Sequence, residues 1–147
     1  MKKISLLVIL ILSAYYLTAQ TPSKQVIFTD KAPKPIGPYS QGILSGNTLY
    51  LSGQIAIDPE TGKMDTLNIE TEVRRELKNI GAVLNAAGMD YRNMVKVTIY
   101  CTDLKNFKTI NTIYSEYFKE NPPARECIQI SALPGKSHVE ISGIAVK

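Results

Sequence analysis

Apolar and polar residues alternate in several short runs of the chain, which is the pattern of half-buried β-strands. The clearest run covers residues 94–101. One face of this strand holds Val95, Val97, Ile99 and Cys101. The other face holds Met94, Lys96, Thr98 and Tyr100. Only the first face is uniformly apolar, so we expect that face to pack against the core.

The same pattern predicts further strands before and after this one. Residues 42–57 contain two apolar runs on either side of Gly46-Asn47, a pair that accepts the positive φ of a tight turn, and they predict a β-hairpin. A short strand is expected before the hairpin, at 25–29. Two strands close the chain, at about 125–132 and 138–146.

Helical periodicity appears in two segments between the strands. The first apolar stripe is Ile69, Val73, Leu77, Ile80, Leu84 and Ala87. The polar side of this helix is expected to hold Glu70, Glu72, Arg74, Arg75 and Lys78. Gly88 is placed to end the helix in a left-handed turn. The second stripe, which stops before Pro122-Pro123, is Leu104, Phe107, Ile110, Ile113, Tyr114, Tyr117 and Phe118.

The resulting order of elements, β-β-β-α-β-α-β-β, predicts an α+β fold in which both helices pack on one face of a single sheet. The other face then has no cover within the chain, and Tyr100, Met94 and Ile144 are expected to lie exposed on it. Exposed apolar sheet faces are typical of oligomers, so we expect the chain to self-associate.

The first residues have the layout of a secretory signal peptide, with Lys2 and Lys3 before an apolar run and small residues after it. Cleavage after Ala19 would leave a single domain, residues 20–147, exported to the periplasm or the medium; a retained anchor is the alternative. The whole chain has 17 basic and 13 acidic residues, and removing the two lysines leaves 15 against 13. This weak positive balance does not indicate a nucleic-acid partner.

Arg125 is the main candidate for binding chemistry, because a buried arginine requires an anion, from the protein or from a ligand. Alternation places Cys127 on the same face, where it is either a nucleophile or a buried thiol. The only histidine, His138, could serve as its base or lie in a surface turn. Glu140 is unusual in a strand and is either an exposed-face residue or a site carboxylate; on Arg125's face it could pair with that residue.

Cys101 and Cys127 are either free thiols, which a domain of this size favours, or a disulfide formed after export. One histidine and two distant cysteines give no zinc spacing, and we expect no metal site. The chain also has no phosphate-binding loop or nucleophile elbow.

Six segments, read in order, resemble the RidA/YjgF family of small reactive-intermediate deaminases. They are APKPIGPYSQGI (32–43), LYLSGQIAIDPETG (49–62), ELKNIGAVLNAAG (76–88), MVKVTIYCTDLKNFKTINTIYSEYF (94–118), PPARECIQISALP (122–134) and VEISGIAV (139–146). The resemblance implies a chorismate-mutase-like α+β fold with a mixed sheet. It also implies a homotrimer with sites in the clefts between subunits.

The resemblance further implies hydrolysis of 2-imino acids or their enamines, such as 2-iminobutanoate and 2-iminopropanoate, to 2-keto acids and ammonia without a cofactor. By the matching motifs, Arg125 would hold the substrate carboxylate and Glu140 would position the attacking water. Cys127 would line the pocket without attacking. The remaining cleft residues would be Tyr39, Ser52 and Asn111.

Two features of the chain depart from this pattern. Glu126 stands where small polar residues are frequent in the family, but alternation points it away from the cleft. Export separates the protein from the cytosolic source of imines, so a non-catalytic binder of small carboxylated metabolites is the alternative function. Ribonuclease activity, which is attached to some relatives, is disfavoured by the weak charge balance. We expect no membrane partner after cleavage of the signal.

Overall fold

The computed structural model describes residues 23–147, so the predicted signal peptide, 1–19, lies outside the described residues. Six strands and two helices follow in the predicted order. The strands are β1 (Lys24–Ile27), β2 (Gly42–Ser45), β3 (Thr48–Gln54), β4 (Met94–Cys101), β5 (Ala124–Gln129) and β6 (Val139–Val146). The helices are α1 (Ile69–Ala86) and α2 (Phe107–Tyr117). Within 23–147 no helix is long and apolar enough to cross a membrane.

The strands form one mixed sheet in the order β1-β2-β3-β6-β4-β5. All neighbouring pairs are antiparallel except β4 and β5, which run parallel because α2 carries the chain back between them. The predicted α+β fold is therefore confirmed, and β5 lies at an edge of the sheet. The last part of the expected strand 125–132 is absent, because β5 ends at Gln129.

Both helices cover one face of the sheet, as predicted. The side chains of Val73, Leu77 and Leu84 on α1 are fully buried against the strands. Asn68 begins α1 by accepting a hydrogen bond from the Thr71 amide at 2.9 Å, and Gly88 follows the helix with a φ of 68°. Helix α2 begins at Phe107, later than the stripe predicted, because Leu104 lies in a short 3₁₀ turn.

The placement of Met94 on the open face is wrong. The ladder between β4 and β6 is irregular between Met94 and Lys96, and this bulge turns Met94 to the helix-covered face. Its side chain is only 4% exposed and lies against Gly143 in the core. Val95, expected in the core, is 48% exposed for the same reason.

The open face of the sheet carries apolar side chains, as the sequence predicts, beside polar ones such as Lys96 and Glu126. Tyr50 on β3 is 51% exposed and pairs across the sheet with Ile144. Ile144 and Tyr100 are both half-buried. Ile128 adds a further exposed apolar side chain from β5. This face carries the surface expected of a subunit contact.

Candidate functional site

Arg125 lies on the edge strand β5 and faces helix α2. Its guanidinium carbon is 4.7 Å from the centre of the Tyr114 ring and 5.7 Å from that of Phe107, so two aromatic rings hold the cation. Among the ion pairs formed by residues 23–147, none involves Arg125. The described chain thus holds the guanidinium in position and leaves its hydrogen-bonding edge for another anion.

Two polar atoms of α2 also lack partners beside this arginine. Asn111 lies between Phe107 and Tyr114 on the same side of the helix, and its Oδ1 is buried with no hydrogen bond among the described residues. The Tyr114 hydroxyl is also buried without a hydrogen bond among the described residues. Burial raises the pKa of Tyr114 to about 12 although Arg125 opposes the shift, so the phenol keeps its proton at neutral pH.

Cys127 follows Arg125 on the same face of β5, with its sulfur 4.0 Å from that of Cys101. Both cysteines are free, as the residue pattern favours. Burial, together with the neighbouring Cys127, raises the pKa of Cys101 to about 11. The imidazole of His138 is engaged elsewhere, with its Nδ1 2.6 Å from Glu72 Oε1. A Cys–His pair is therefore not formed, and Cys127 has no activating base from that residue.

Glu140 lies on β6 and faces the open side of the sheet. Its carboxylate passes directly over Gly53, where a Cβ atom would collide with it. An open pocket of about 360 Å³ lies beside this carboxylate and is lined by Ile36, Tyr39 and Ser52 among others. Glu140 is half-buried, and this burial raises the pKa of its carboxyl. A carboxyl with a raised pKa beside a pocket is suited to exchanging protons.

The loop between β1 and β2 positions Tyr39 at this pocket. The Tyr39 hydroxyl accepts a hydrogen bond from the Ile36 amide at 3.2 Å. Gln41 fixes the loop from below, since its side chain accepts from Thr29 N at 2.7 Å and donates to Pro33 O at 2.8 Å. Ser52 is less available than the sequence suggests, because its hydroxyl donates to Ser40 O at 2.6 Å.

The structure separates the predicted site residues into two groups on opposite faces of the sheet. In β4, Val97 pairs with Arg125 and Tyr100 pairs with Glu140, and these two β4 residues point to opposite sides. We call the first group the Arg125 half-site: Arg125, Cys127, Asn111, Phe107 and Tyr114. The second group is the Glu140 half-site: Glu140, Gly53, Ser52 and Tyr39. An Arg125–Glu140 pair, left open by the sequence, does not form within one chain.

Three members of these groups were missed from the sequence. Phe107 and Tyr114 were assigned to the core stripe of α2, although their position one turn on either side of Asn111 is a signal that could have found them. Gly53 was not assigned a role from the sequence. Glu126 points away from Arg125, as predicted, and is held by Lys96 and by Thr98 Oγ1 at 2.7 Å.

Among residues 23–147 no group of three or more histidine, cysteine, aspartate or glutamate side chains is arranged to hold a metal ion. A wider cleft of about 570 Å³ lies between segments 30–36 and 57–62. None of the predicted site residues lines this cleft. Ile36 lies between the cleft and the pocket beside Glu140 and lines both.

Comparison with known proteins relates the chain to a single family. The family model described as Endoribonuclease L-PSP matches residues 29–147. The human protein named 2-iminobutanoate/2-iminopropanoate deaminase is 46% identical over 124 residues, which cover 84% of this chain and 90% of the human one. A RutC family protein of Pyrococcus abyssi is 49% identical over 125 residues, covering 85% of this chain and 98% of the relative.

Solved structures agree with these sequence matches. A member of the conserved Rid protein family from Yersinia pestis superposes with a TM-score of 0.82 at 46% identity, covering 85% of this chain and all of that one. Escherichia coli TdcF, crystallised with bound serine, gives a TM-score of 0.81 at 37% identity, covering 84% of this chain and 98% of that one. By sequence and by fold, the chain belongs to the RidA/YjgF family, the one that the Endoribonuclease L-PSP model describes.

Proposed function

We propose that the protein hydrolyses 2-imino acids and their enamine tautomers, such as 2-iminobutanoate and 2-iminopropanoate, to 2-keto acids and ammonia. The observation that carries the proposal is Arg125, whose guanidinium is held by two rings and has no acidic partner among residues 23–147. The names of the mammalian relatives, which are 45–46% identical, support the same reaction. The serine bound to the related Escherichia coli protein supports a small carboxylated ligand.

Substrate recognition in this proposal rests on the Arg125 half-site. A guanidinium donates two parallel hydrogen bonds to a carboxylate, which fixes both the position and the plane of the substrate. Asn111 Oδ1 accepts a hydrogen bond from the imine nitrogen, which is consistent with its buried and unpartnered state. Cys127 lines the pocket and forms no covalent intermediate.

The complete site forms between two copies of the chain, because the two half-sites of one chain lie on opposite faces of its sheet. The Glu140 half-site lies on the apolar open face, which a second copy would cover. A closed ring of three copies places each Arg125 half-site against the Glu140 half-site of a neighbour. The active protein is therefore a homotrimer in this proposal.

Glu140 carries the proton transfers. As its carboxylate it orients a water molecule and takes one proton from it while the oxygen attacks the imine carbon. The resulting carbinolamine has an oxygen and a nitrogen on the same carbon. Glu140 first gives the water proton to the nitrogen, which completes the neutral carbinolamine. It then takes the hydroxyl proton and passes it to the nitrogen as the carbon–nitrogen bond breaks, so that the carbonyl forms, ammonia leaves and the carboxylate is restored. The balance is one water consumed and one ammonia released, and we expect no cofactor.

A coupled assay tests the proposal. An amino-acid oxidase generates imines in the presence of semicarbazide, and the protein should suppress semicarbazone formation by hydrolysing the imine first. Arg125→Ala should lower kcat/KM by about 100-fold, because a bidentate charged contact is lost. The matched control is Arg92→Ala, which removes a surface arginine paired with Asp90. Unchanged turnover in Arg125→Ala would contradict the proposal.

The same protein samples distinguish the alternative function, non-catalytic binding, from the deaminase. A non-catalytic binder would bind 2-keto acids saturably through Arg125 and yet release no ammonia from any imine tested. Isothermal titration with pyruvate and 2-oxobutanoate, alongside the assay, distinguishes this outcome from a misfolded sample. Nuclease activity would appear as RNA cleavage that persists in Arg125→Ala.

We also propose that the protein acts outside the cytoplasm after removal of residues 1–19. The proposal rests on the charged, apolar and small-residue segments at the start of the sequence. Mass spectrometry of the protein from the native cell envelope and medium would give the mature N-terminus. A full-length chain confined to the cytosol would contradict this proposal and leave the deaminase proposal standing.

A further inference from the structure

Helix α1 carries polar side chains on the face that it buries. Glu72, Glu76 and Asn79 are all fully buried, and they lie at spacings of four and three residues on one side of the helix. Glu72 was expected on the solvent side of the helix, and that prediction is wrong. Buried carboxyl groups are costly and require partners or a proton. Each of these three buried polar side chains therefore needs a partner or, for the carboxyl groups, a proton.

Hydrogen bonds fix Glu72 and Asn79 to the segments that adjoin the sheet. Glu72 Oε2 accepts from the His138 amide at 3.0 Å and from Ser137 Oγ at 3.4 Å, just before β6 begins. Asn79 Nδ2 donates to Ile57 O at 3.0 Å and to Ile55 O at 3.3 Å, just after β3 ends. Glu76 lies between these two anchors. It is therefore held beneath the place where the end of β3 meets the start of β6.

Glu76 itself has no partner. Both of its carboxyl oxygens are buried without a hydrogen bond to any residue of the described chain. Glu72 differs, since three contacts with Ser137 and His138 satisfy its two oxygens. Of two neighbouring buried carboxyl groups, the one without donors is the one that retains the proton.

The same junction carries the Glu140 half-site on its other side. The β3–β6 ladder is irregular between Leu51 and Gln54, and Glu140 lies over Gly53 within that irregular stretch. Glu76 and Glu140 thus lie on opposite faces of the sheet at this irregular stretch. The titratable groups nearest to Glu76 are Glu72 on its own helix and Glu140 on β6. His138, just before β6, contacts Glu72. Burial first, and then the charges of Glu72 and Glu140, raise the pKa of Glu76 well above its ordinary value.

We propose that Glu76 is a positioning residue for the site: it stays a neutral acid beneath the β3–β6 junction, so that Glu140 is the carboxyl of this pair that ionises and serves the reaction. The proposal rests on the proposed role of Glu140 in catalysis. Two ionised carboxyl groups on either side of this irregular stretch would repel each other, and the Glu140 carboxylate would then leave its place over Gly53. Loss of the Glu76 proton at alkaline pH would consequently lower the rate.

The experiment is carbon-13 NMR of the side-chain carboxyls in the mature protein labelled on glutamate, recorded as a function of pH. We expect one carboxyl resonance to remain in its protonated position at pH 7 and to disappear in Glu76→Gln. The matched control is Glu70→Gln, an exposed glutamate on the same helix, which should leave that resonance unchanged. If all glutamate carboxyls have lost their protons by pH 7, the proposal is wrong.

The link to Glu140 is tested in a second titration. In Glu140→Gln the protonated resonance should titrate at a lower pH than in the wild type, because the negative charge opposite it has been removed. An unchanged midpoint would show that the two groups are not coupled and would overturn the positioning role. Glu76→Gln should fold, since it replaces a neutral acid by a neutral amide of the same shape, and Glu76→Met serves as a second variant.

Activity provides the functional readout. Glu76→Gln should retain the wild-type kcat within about twofold at pH 7. It should lose the alkaline decline of the rate that Glu76 ionisation produces in the wild type. A ratio of variant to wild-type kcat that is constant across the pH range would count against the proposal. If the wild type releases no ammonia at all, the deaminase proposal fails, while the two NMR titrations still decide the state of Glu76.

Discussion

At the scale of single residues, the position of Glu140 depends on a neighbour without a side chain. Gly53 lies directly under the Glu140 carboxylate, and a methyl group there would occupy the space of that carboxylate. The requirement is for close approach and not for an unusual backbone angle, since Gly53 does not have a positive φ. Glu140 and Gly53 therefore act as one unit in shaping the pocket.

Gly53→Ala should displace the Glu140 carboxylate and lower kcat by about 100-fold, the effect expected when a reacting group is misplaced by about 1 Å. The fold should persist, because the collision is with the end of a flexible side chain on the open face. Gly37→Ala is the control in the same pocket, since its new methyl group would make only ordinary contact with the Tyr39 ring. Steady-state kinetics and circular dichroism of both variants check the prediction. Wild-type kcat in Gly53→Ala would show that Glu140 does not need its present position.

At the scale of elements, alternation and helical spacing predicted the strands, the helices and their order. They could not predict a bulge, because one inserted residue in β4 reverses the side of Met94 without altering the alternating pattern. They also could not reveal that Glu72 faces inward, because its burial depends on the donors that the distant residues Ser137 and His138 supply. Arg125 was found because a buried arginine requires an anion, Cys127 because it shares the face of Arg125, and Glu140 because glutamate is unusual in a strand.

The attachment of α1 to β6 by Glu72 predicts a large difference between two glutamates of the same helix. Glu72→Ala should lower the free energy of unfolding by about 2–4 kcal/mol, since it removes a buried carboxylate that accepts from the His138 amide and contacts the His138 imidazole. Glu70→Ala removes only an exposed pair with Arg74 and should leave the unfolding midpoint nearly unchanged. Urea denaturation at pH 7 compares the two variants. Equal midpoints would mean that Glu72 is not essential for joining helix and sheet.

At the scale of the whole molecule, the two half-sites explain why a single chain is insufficient for the proposed reaction. Strand β4 lies between β5, which carries Arg125, and β6, which carries Glu140, and the two side chains leave the sheet on opposite faces. No rotation of side chains brings them together. The sequence could not reveal this separation, because it depends on which strand lies between the two and on the register of both pairings.

Mixing two inactive variants tests this arrangement directly. Arg125→Ala and Glu140→Gln should each be nearly inactive alone, because every cleft lacks either the carboxylate-binding or the proton-transfer group. When the two are unfolded together in equal amounts and refolded, random assembly should restore about a quarter of the clefts, those with Arg125 from one chain and Glu140 from another. Ammonia release should therefore recover to about a quarter of the wild-type rate. A mixture of Arg125→Ala with Arg125→Ala/Glu140→Gln, which cannot form an intact cleft, is the control. If the first mixture stays as inactive as this control, both groups must act within one chain, and the site between subunits is ruled out.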